Sequence, residues 1–181
     1  MRTRLLLTVV ILLLFGAPVA AQWRKEGKIV PDEPWRRQKG DLAVSLMITA
    51  DPNGFLEQWN RAPSLDYKPQ IKTASTVPRG GTVMGFVIFS GCKPNAAGSC
   101  DATVDWILLK PDGTVYADQK GAVLWKGKAM KDILMLSETN LGLQVEQDDP
   151  LGEYTMKAAV HDQVEKVSVE VEAKLTVVAS E

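Results

Sequence analysis

Alternating apolar and polar residues form the strongest pattern in this chain, and the pattern is clearest towards its end. Every second residue from Val167 to Val177 is apolar, and Ser, Glu, Lys and Thr occupy the positions between them. Residues 154–161 alternate in the same way, beginning with Tyr154. A period of two is typical of a strand with one buried face. Shifting the register of the last strand by one residue would bury its charged side chains, so the pattern predicts strands of well-defined register.

Shorter patterns predict further strands upstream. Three longer runs are predicted as strands, the second of them central and buried, at residues 42–49, 82–90 and 103–110. The turn signal Pro111-Asp112-Gly113 predicts a hairpin in which residues 114–117 return as the partner strand. Four short strands are expected near residues 70–73, 123–125, 133–136 and 143–146. The chain therefore consists mainly of strands and turns.

A short helix is predicted directly after the first of these strands. Asp51 is a suitable N-cap residue, and Pro52 stands at the first helical position, where a missing N–H has no cost. Phe55 and Trp59 are four residues apart, so they share one face of the helix. We expect this face to dock on the edge of the sheet.

Short strands separated by turns predict an all-β fold, an antiparallel β-sandwich of about 7–9 strands with one short helix near the N-terminus. Three features over residues 41–178 resemble bacterial immunoglobulin-like and macroglobulin-like sandwiches. They are the inward Trp106, the hairpin turn at Pro111, and the segment from Asp149 to Tyr154, where such folds place a tyrosine corner. The resemblance implies the immunoglobulin-like fold, and a fold of this kind carries no activity by itself.

Residues 1–21 have the features of a secretory signal peptide. Arg2 and Arg4 precede an apolar run, and small residues lead to a cleavage point after Ala21. The apolar run is shorter than the ~20 residues that a spanning helix needs. We therefore expect a periplasmic or secreted protein without stable membrane insertion, comprising a polar N-terminal arm at 22–40 and one sandwich domain at 41–181.

Charge and composition narrow the possible partners. Removing Arg2 and Arg4 would change the formal net charge from −1 to −3, and the sequence has no basic stripe with interleaved aromatic residues. Nucleic acid is therefore an unsuitable partner. The arm contains Trp23 and Trp35. Packing against the sandwich is the favoured interpretation for Trp35, whereas for Trp23 packing and partner contact stay open.

The chain has two cysteines, Cys92 and Cys100, separated by a segment of turn-forming residues. In an exported protein such a pair is most simply a structural disulfide, here closing a hairpin-like connection. A redox or metal pair is the alternative, but the spacing is not C-x-x-C and no cluster of soft ligands accompanies it.

The sequence contains no recognisable catalytic constellation. His161 is the only histidine, and its neighbour Asp162 would point to the opposite face of a strand. No G-x-S-x-G motif is present. The carboxylates near Asp51 and Asp149 could in principle serve calcium or glycoside chemistry, but such residues are also what tight turns require. We expect no catalytic residue, no metal site and no cofactor.

Binding is the remaining function class. The candidate binding residues are the aromatic side chains Trp59, Tyr67 and Trp125, and the candidate loops are residues 61–80 and 92–100. The leading hypothesis is an exported, non-catalytic module that binds another envelope or secreted protein. One alternative is a carbohydrate- or envelope-polysaccharide-binding module using those three rings. Another is a periplasmic enzyme inhibitor that presents the disulfide loop.

Overall fold

The structure is a computed structural model that describes residues 24–25, 28–61, 70–130 and 133–180. The predicted signal segment, Trp23 and Tyr67 lie outside the described residues. One α-helix and twelve strands are present in the described part. The helix is α1 (Pro52–Asn60), and the strands are β1 (Arg24–Lys25), β2 (Lys28–Ile29), β3 (Arg36–Lys39), β4 (Leu42–Thr49), β5 (Thr76–Pro78), β6 (Thr82–Ser90), β7 (Ala102–Leu109), β8 (Val115–Trp125), β9 (Met135–Leu136), β10 (Leu141–Gln144), β11 (Gly152–Asp162) and β12 (Val167–Val178).

Ten of these strands form two facing sheets. The first sheet has the order β10-β6-β4-β3, with β9 pairing beside β10 on β6. The second sheet has the order β5-β12-β11-β7-β8. All pairings are antiparallel except that of β5 with β12. The protein is thus an immunoglobulin-like β-sandwich with one short helix near the N-terminus, which confirms the predicted fold class, although its two sheets contain ten strands instead of about 7–9.

The core lies between the inner faces of the two sheets. The predicted alternation of β11 and β12 is confirmed, because Tyr154 pairs with Leu175 and both are fully buried. Trp106 on β7 is also fully buried, as its inward position on the strand predicts. Tyr154 forms the expected tyrosine corner, since its hydroxyl donates to the Pro150 carbonyl at 3.0 Å.

The helix covers the outer face of the first sheet. The Asp51 carboxylate caps it by accepting from the Gly54 N–H at 2.9 Å. Phe55 stacks on Phe86 of β6, with ring centroids 4.2 Å apart. The expectation that the helix docks on the sheet edge is therefore wrong. Both faces of β6 are apolar, so the outward face of this strand requires a cover.

Three local expectations differ from the structure. The short strand expected at residues 70–73 does not form there, and the strand of this region is β5 instead. The backbone just before β5 crosses from one sheet to the other, so pairing begins only after the crossing. Residues 114–117 and 123–125 belong to one long strand, β8, whose pairing with β7 contains register shifts. The sandwich also begins before residue 41, because β3, within the predicted arm, pairs with β4.

Candidate functional site

The two cysteines form the predicted disulfide, Cys92–Cys100. Their loop is not a hairpin connection, however, because β6 belongs to the first sheet and β7 to the second. The loop therefore crosses from one sheet to the other at one end of the sandwich. Both cysteines are buried, whereas the residues from Lys93 to Gly98 are exposed.

Asn95 organises the exposed part of this loop. Its side-chain oxygen accepts from the Ala97 N–H at 2.9 Å and from the Ser99 N–H at 3.1 Å. Its backbone adds two hydrogen bonds, donating to the Ser99 carbonyl and accepting from the Gly98 N–H. An Asn side chain that satisfies the N–H groups of the following residues is a compact way to close a turn. The loop tip is consequently held by its own hydrogen bonds as well as by the disulfide.

The same loop is tied to the segment that follows β8. Cys100 N–H donates to the Gly127 carbonyl at 2.9 Å, and Ala129 N–H donates to the Gly98 carbonyl at 3.1 Å. Trp125 stands next to this contact, and its indole N–H donates to the Lys128 carbonyl at 3.2 Å. Two predicted candidates, the disulfide loop and Trp125, are thus brought together. We call residues 93–99 and 125–129 the loop surface.

Asp162 supports the loop surface from beneath, a role that the sequence did not reveal. Its carboxylate is buried, accepts from the Lys93 N–H at 2.7 Å, and accepts from the N–H groups of Val164 and Glu165 at 2.9 and 3.0 Å. Its position between a strand and a four-residue turn was the available signal, since Asp commonly caps such turns. The partner Lys93 is distant in sequence and could not be inferred from that signal.

Trp59, a second aromatic candidate, does not join the loop surface. Trp59 belongs to the cluster around Phe55 and Phe86 on the outer face of the first sheet, where its ring is parallel to that of Phe55. Tyr67 lies outside the described residues. Trp59 and Trp125 are both half-buried, and they belong to different hydrophobic clusters.

His161 lies on the outer face of the second sheet between two polar groups. Its Nδ1 is 2.7 Å from Ser168 Oγ, and its Nε2 is 3.5 Å from Asp105 Oδ2. Asp105 also accepts from the Gly121 N–H at 2.7 Å. These residues are of the types found in a hydrolytic triad, but they stand on a strand surface. Strand N–H groups point along the sheet towards neighbouring strands, so the backbone N–H groups of the strands that carry these residues do not converge on an oxyanion position above the face.

The carboxylate at Asp149 acts in the turn before β11. It accepts from the Glu146 N–H at 2.7 Å and from the Tyr116 hydroxyl at 3.1 Å. Burial, followed by this bond to Asp149, raises the pKa of Tyr116 from 10.0 to about 12. Arg79 donates to the Asp149 carbonyl. The arrangement ties three separate segments together at one end of the second sheet.

An apolar cavity of about 490 Å³ opens on the side of the sandwich, between β4 of the first sheet and β12 of the second. We call it the side cavity. Its wall includes Trp35, Leu46, Ile48, Ala74 and Ala173. Trp35 is 38% exposed at this position. The prediction that Trp35 packs on the sandwich is consistent with its place in the wall.

Within the described residues, no group of three or more His, Cys, Asp or Glu side chains could hold a metal ion. No helix in the same part of the chain is long and apolar enough to cross a bilayer.

Comparisons with known proteins give no family. No protein-family model and no curated protein matches the chain. Among solved structures, it is similar to a Niemann-Pick type C2 protein from the Japanese carpenter ant, with 9% identity, coverage of 74% of this chain and 89% of the other, and a TM-score of 0.42. It is also similar to a CARDB domain from Pyrococcus furiosus, solved with di-metal ions, with 14% identity, coverage of 59% and 83%, and a TM-score of 0.38. The sporulation control protein Spo0M from Bacillus subtilis matches with 14% identity, coverage of 59% and 46%, and the same TM-score of 0.38. Similarities this low support no inference about function.

Proposed function

We propose that this protein is an exported, non-catalytic binding module that contacts another envelope or secreted protein through the loop surface. The observation that carries the proposal is the network around Asn95 and the disulfide. An exposed loop held in one conformation loses little conformational entropy when a partner binds. The half-buried Trp125 beside the loop adds the residue type that most often dominates protein interfaces.

The support for a non-catalytic role comes from the surroundings of His161. A nucleophilic serine needs a base, an orienting group and donors for the developing oxyanion. Ser168, His161 and Asp105 correspond to the nucleophile, the base and the orienting group, but the backbone N–H groups of β11 and β12 point along the sheet and form no donor set for the oxyanion. An ester-hydrolysis assay on purified protein tests this point. Turnover that disappears in Ser168→Ala would overturn the non-catalytic assignment.

The partner is tested by capture from the protein's own cells. The full chain, tagged at its C-terminus and expressed in those cells, is crosslinked mildly in the envelope and secreted fractions, and captured proteins are identified by mass spectrometry. Ala96→Arg places a long charged side chain on the exposed loop tip and should abolish capture of a genuine partner. Ala50→Arg introduces the same change at an exposed alanine beyond the end of β4, away from the loop surface, and should leave capture unchanged.

A second pair of variants tests the loop conformation itself. Asn95→Ala removes the acceptor for two N–H groups and should weaken capture, whereas Asn95→Asp keeps an oxygen at the same place and should retain it. A protein captured equally by wild type, Ala96→Arg and Asn95→Ala does not use the loop surface, and that result contradicts the proposal. If the captured partner is an enzyme, an assay of its activity with added protein distinguishes an inhibitor from a simple binding module.

A further inference from the structure

We infer that the side cavity is a binding site for one unbranched alkyl chain. The site is separate from the loop surface and does not depend on the proposed protein partner. Its wall is mainly apolar, and its volume is about 490 Å³. Ligand cavities in proteins commonly measure ~300–1,000 Å³. Since a dry apolar cavity of ~150 Å³ holds the six carbon atoms of benzene, the side cavity, which is open to solvent on one side, has room for at most about 20 carbon atoms.

Two backbone crossings frame the cavity. At one end, the Pro34 carbonyl accepts from the Glu172 N–H at 2.7 Å, and the Trp35 carbonyl accepts from the Leu46 N–H at 2.8 Å. At the other end, residues 74–75 make the equivalent pair of bonds, Ala74 N–H to the Ile48 carbonyl at 2.7 Å and Thr176 N–H to the Ser75 carbonyl at 2.9 Å. The crossings hold β4 and β12 at fixed places on either side of the cavity.

A small side chain on β12 leaves room for the side cavity. Ala173 occupies an inward position of β12, between Val171 and Leu175. Both of those neighbours are 1% exposed, whereas Ala173 is only partly buried. A larger residue at this position would extend into the space between the sheets. β12 therefore keeps an apolar residue at this inward position, but the side chain is too small to fill the space between the two sheets there.

The two crossings favour an alkyl chain over an extended peptide as the ligand of the side cavity. Peptides that add to a sheet need a free strand edge of several residues. The edge of β4 between the two crossings extends only from Leu46 to Ile48, which is too short for a ladder. A hydrocarbon chain needs no backbone hydrogen bonds and gains free energy from the apolar surface that it buries.

The charged residues at the opening of the side cavity also favour a hydrocarbon ligand over a polar one. Glu172 and Lys174 line the opening, but their charged ends are engaged on the outer face of the second sheet. Glu172 lies 3.1 Å from Lys157 Nζ, and Lys174 is paired with Glu153. A polar or charged ligand would have to compete with these ion pairs. An alkyl chain can enter without disturbing them, leaving its head group in water.

Binding is tested with the fluorescent fatty acid cis-parinaric acid and the purified protein. We expect saturable binding at one site, with displacement by hexadecanoic acid. Ala173→Leu adds three carbon atoms that narrow the cavity, and it should weaken binding by at least about tenfold. Ala159→Leu makes the same change on the outer face of the same sheet and should bind as wild type does. Because Ala173→Leu could alter the fold, Ala74→Leu, which narrows the cavity at the end formed by residues 74–75, serves as a second blocking variant.

Several results would overturn the inference. They are absence of probe binding to the wild type, unchanged binding to folded Ala173→Leu, or displacement by a sterol but not by fatty acids. Competition by hexadecanoic acid compared with a lysophospholipid distinguishes a free acid from a membrane lipid as the source of the chain. Ala96→Arg, which alters only the loop surface, should bind the probe normally, so failure of one proposal is separable from failure of the other.

Discussion

The Asp162 carboxylate accepts a hydrogen bond from the backbone N–H of Lys93 at 2.7 Å, although the two residues are 69 positions apart. Asp162 ends β11 and holds the turn into β12, while Lys93 begins the disulfide loop. One buried carboxylate therefore links the longest pair of strands to an exposed connection. The loop surface depends on this link as well as on its disulfide.

Replacing Asp162 with Ala should lower the free energy of unfolding by about 2–4 kcal/mol, because three N–H groups lose a charged acceptor in a buried place. Asp162→Asn keeps one oxygen and should cost less. Urea unfolding followed by circular dichroism measures both effects. Equal stability of wild type and Asp162→Ala would show that the carboxylate contributes nothing to the fold.

Gly54→Ala should destabilise the protein, although Ala normally stabilises a helix relative to Gly by ~0.5–1 kcal/mol. A Cβ at position 54 would clash with the Asp51 carboxylate, so the N-cap would have to move. Loss of such a cap costs ~1 kcal/mol. Thermal and urea unfolding of the single variant give the sign of the effect.

The matched control for this prediction is Gly54→Ala in an Asp51→Ala background. Without the carboxylate, the added methyl group has no clash with the cap, and the same substitution should become stabilising. If Gly54→Ala has the same effect in both backgrounds, the contact with Asp51 is not its cause.

Tyr116 should ionise near pH 12 in the folded protein, because burial and then its bond to Asp149 raise its pKa from 10.0 to about 12. The folded state holds this proton more tightly than the unfolded state does. The associated stabilisation is therefore complete below pH 10 and is lost as the pH rises from 10 towards 12. Absorbance titration of phenolate, corrected with Tyr116→Phe, measures this pKa. Asp149→Ala should lower the value but leave it above 10, since burial is the larger cause; no change in this variant would contradict the assignment.

Replacing both Cys92 and Cys100 with Ser should cost about 2–3 kcal/mol, the entropy expected for closing a short loop in the unfolded chain. Urea unfolding of the variant is compared with that of the wild type with and without reductant. The reduced wild type should match the variant. A loss below ~1 kcal/mol would mean that the hydrogen bonds of the loop suffice to hold it.

Local patterns were sufficient for most of the strands and for the helix. The alternation of β12 indicated which side chains enter the core, because a slip of one residue would bury Glu170 and Glu172. Asp51-Pro52 likewise marked the start of α1, since cap and first-turn preferences act within a few residues. The short strands were harder to predict from local patterns. β5, for example, pairs over only three residues, and its position depends on where the preceding chain crosses between the sheets.

The candidate site was only partly accessible from the sequence. The spacing of Cys92 and Cys100 in a turn-rich segment predicted their disulfide, and Trp125 was named as a candidate for its residue type. Its place beside the loop could not be predicted. The hydrogen bonds between residues 98–100 and residues 127–129 depend on where the chain leaves β8 at the end of the second sheet. The juxtaposition of His161, Ser168 and Asp105 comes from the strand order β12-β11-β7.

By itself, the sequence determined the class of fold, the register of its longest strands and the cysteine pair, since period-two burial and short loop closure are local consequences of residue order. Only the tertiary structure decided which sheet each strand joins, what Asp162 holds in place, and where the core is left incomplete. Ala173 illustrates the difference. In the sequence it is one more small apolar residue in an alternating strand, and it lines a cavity only because two distant crossings place the edge of β4 beside β12 at that level.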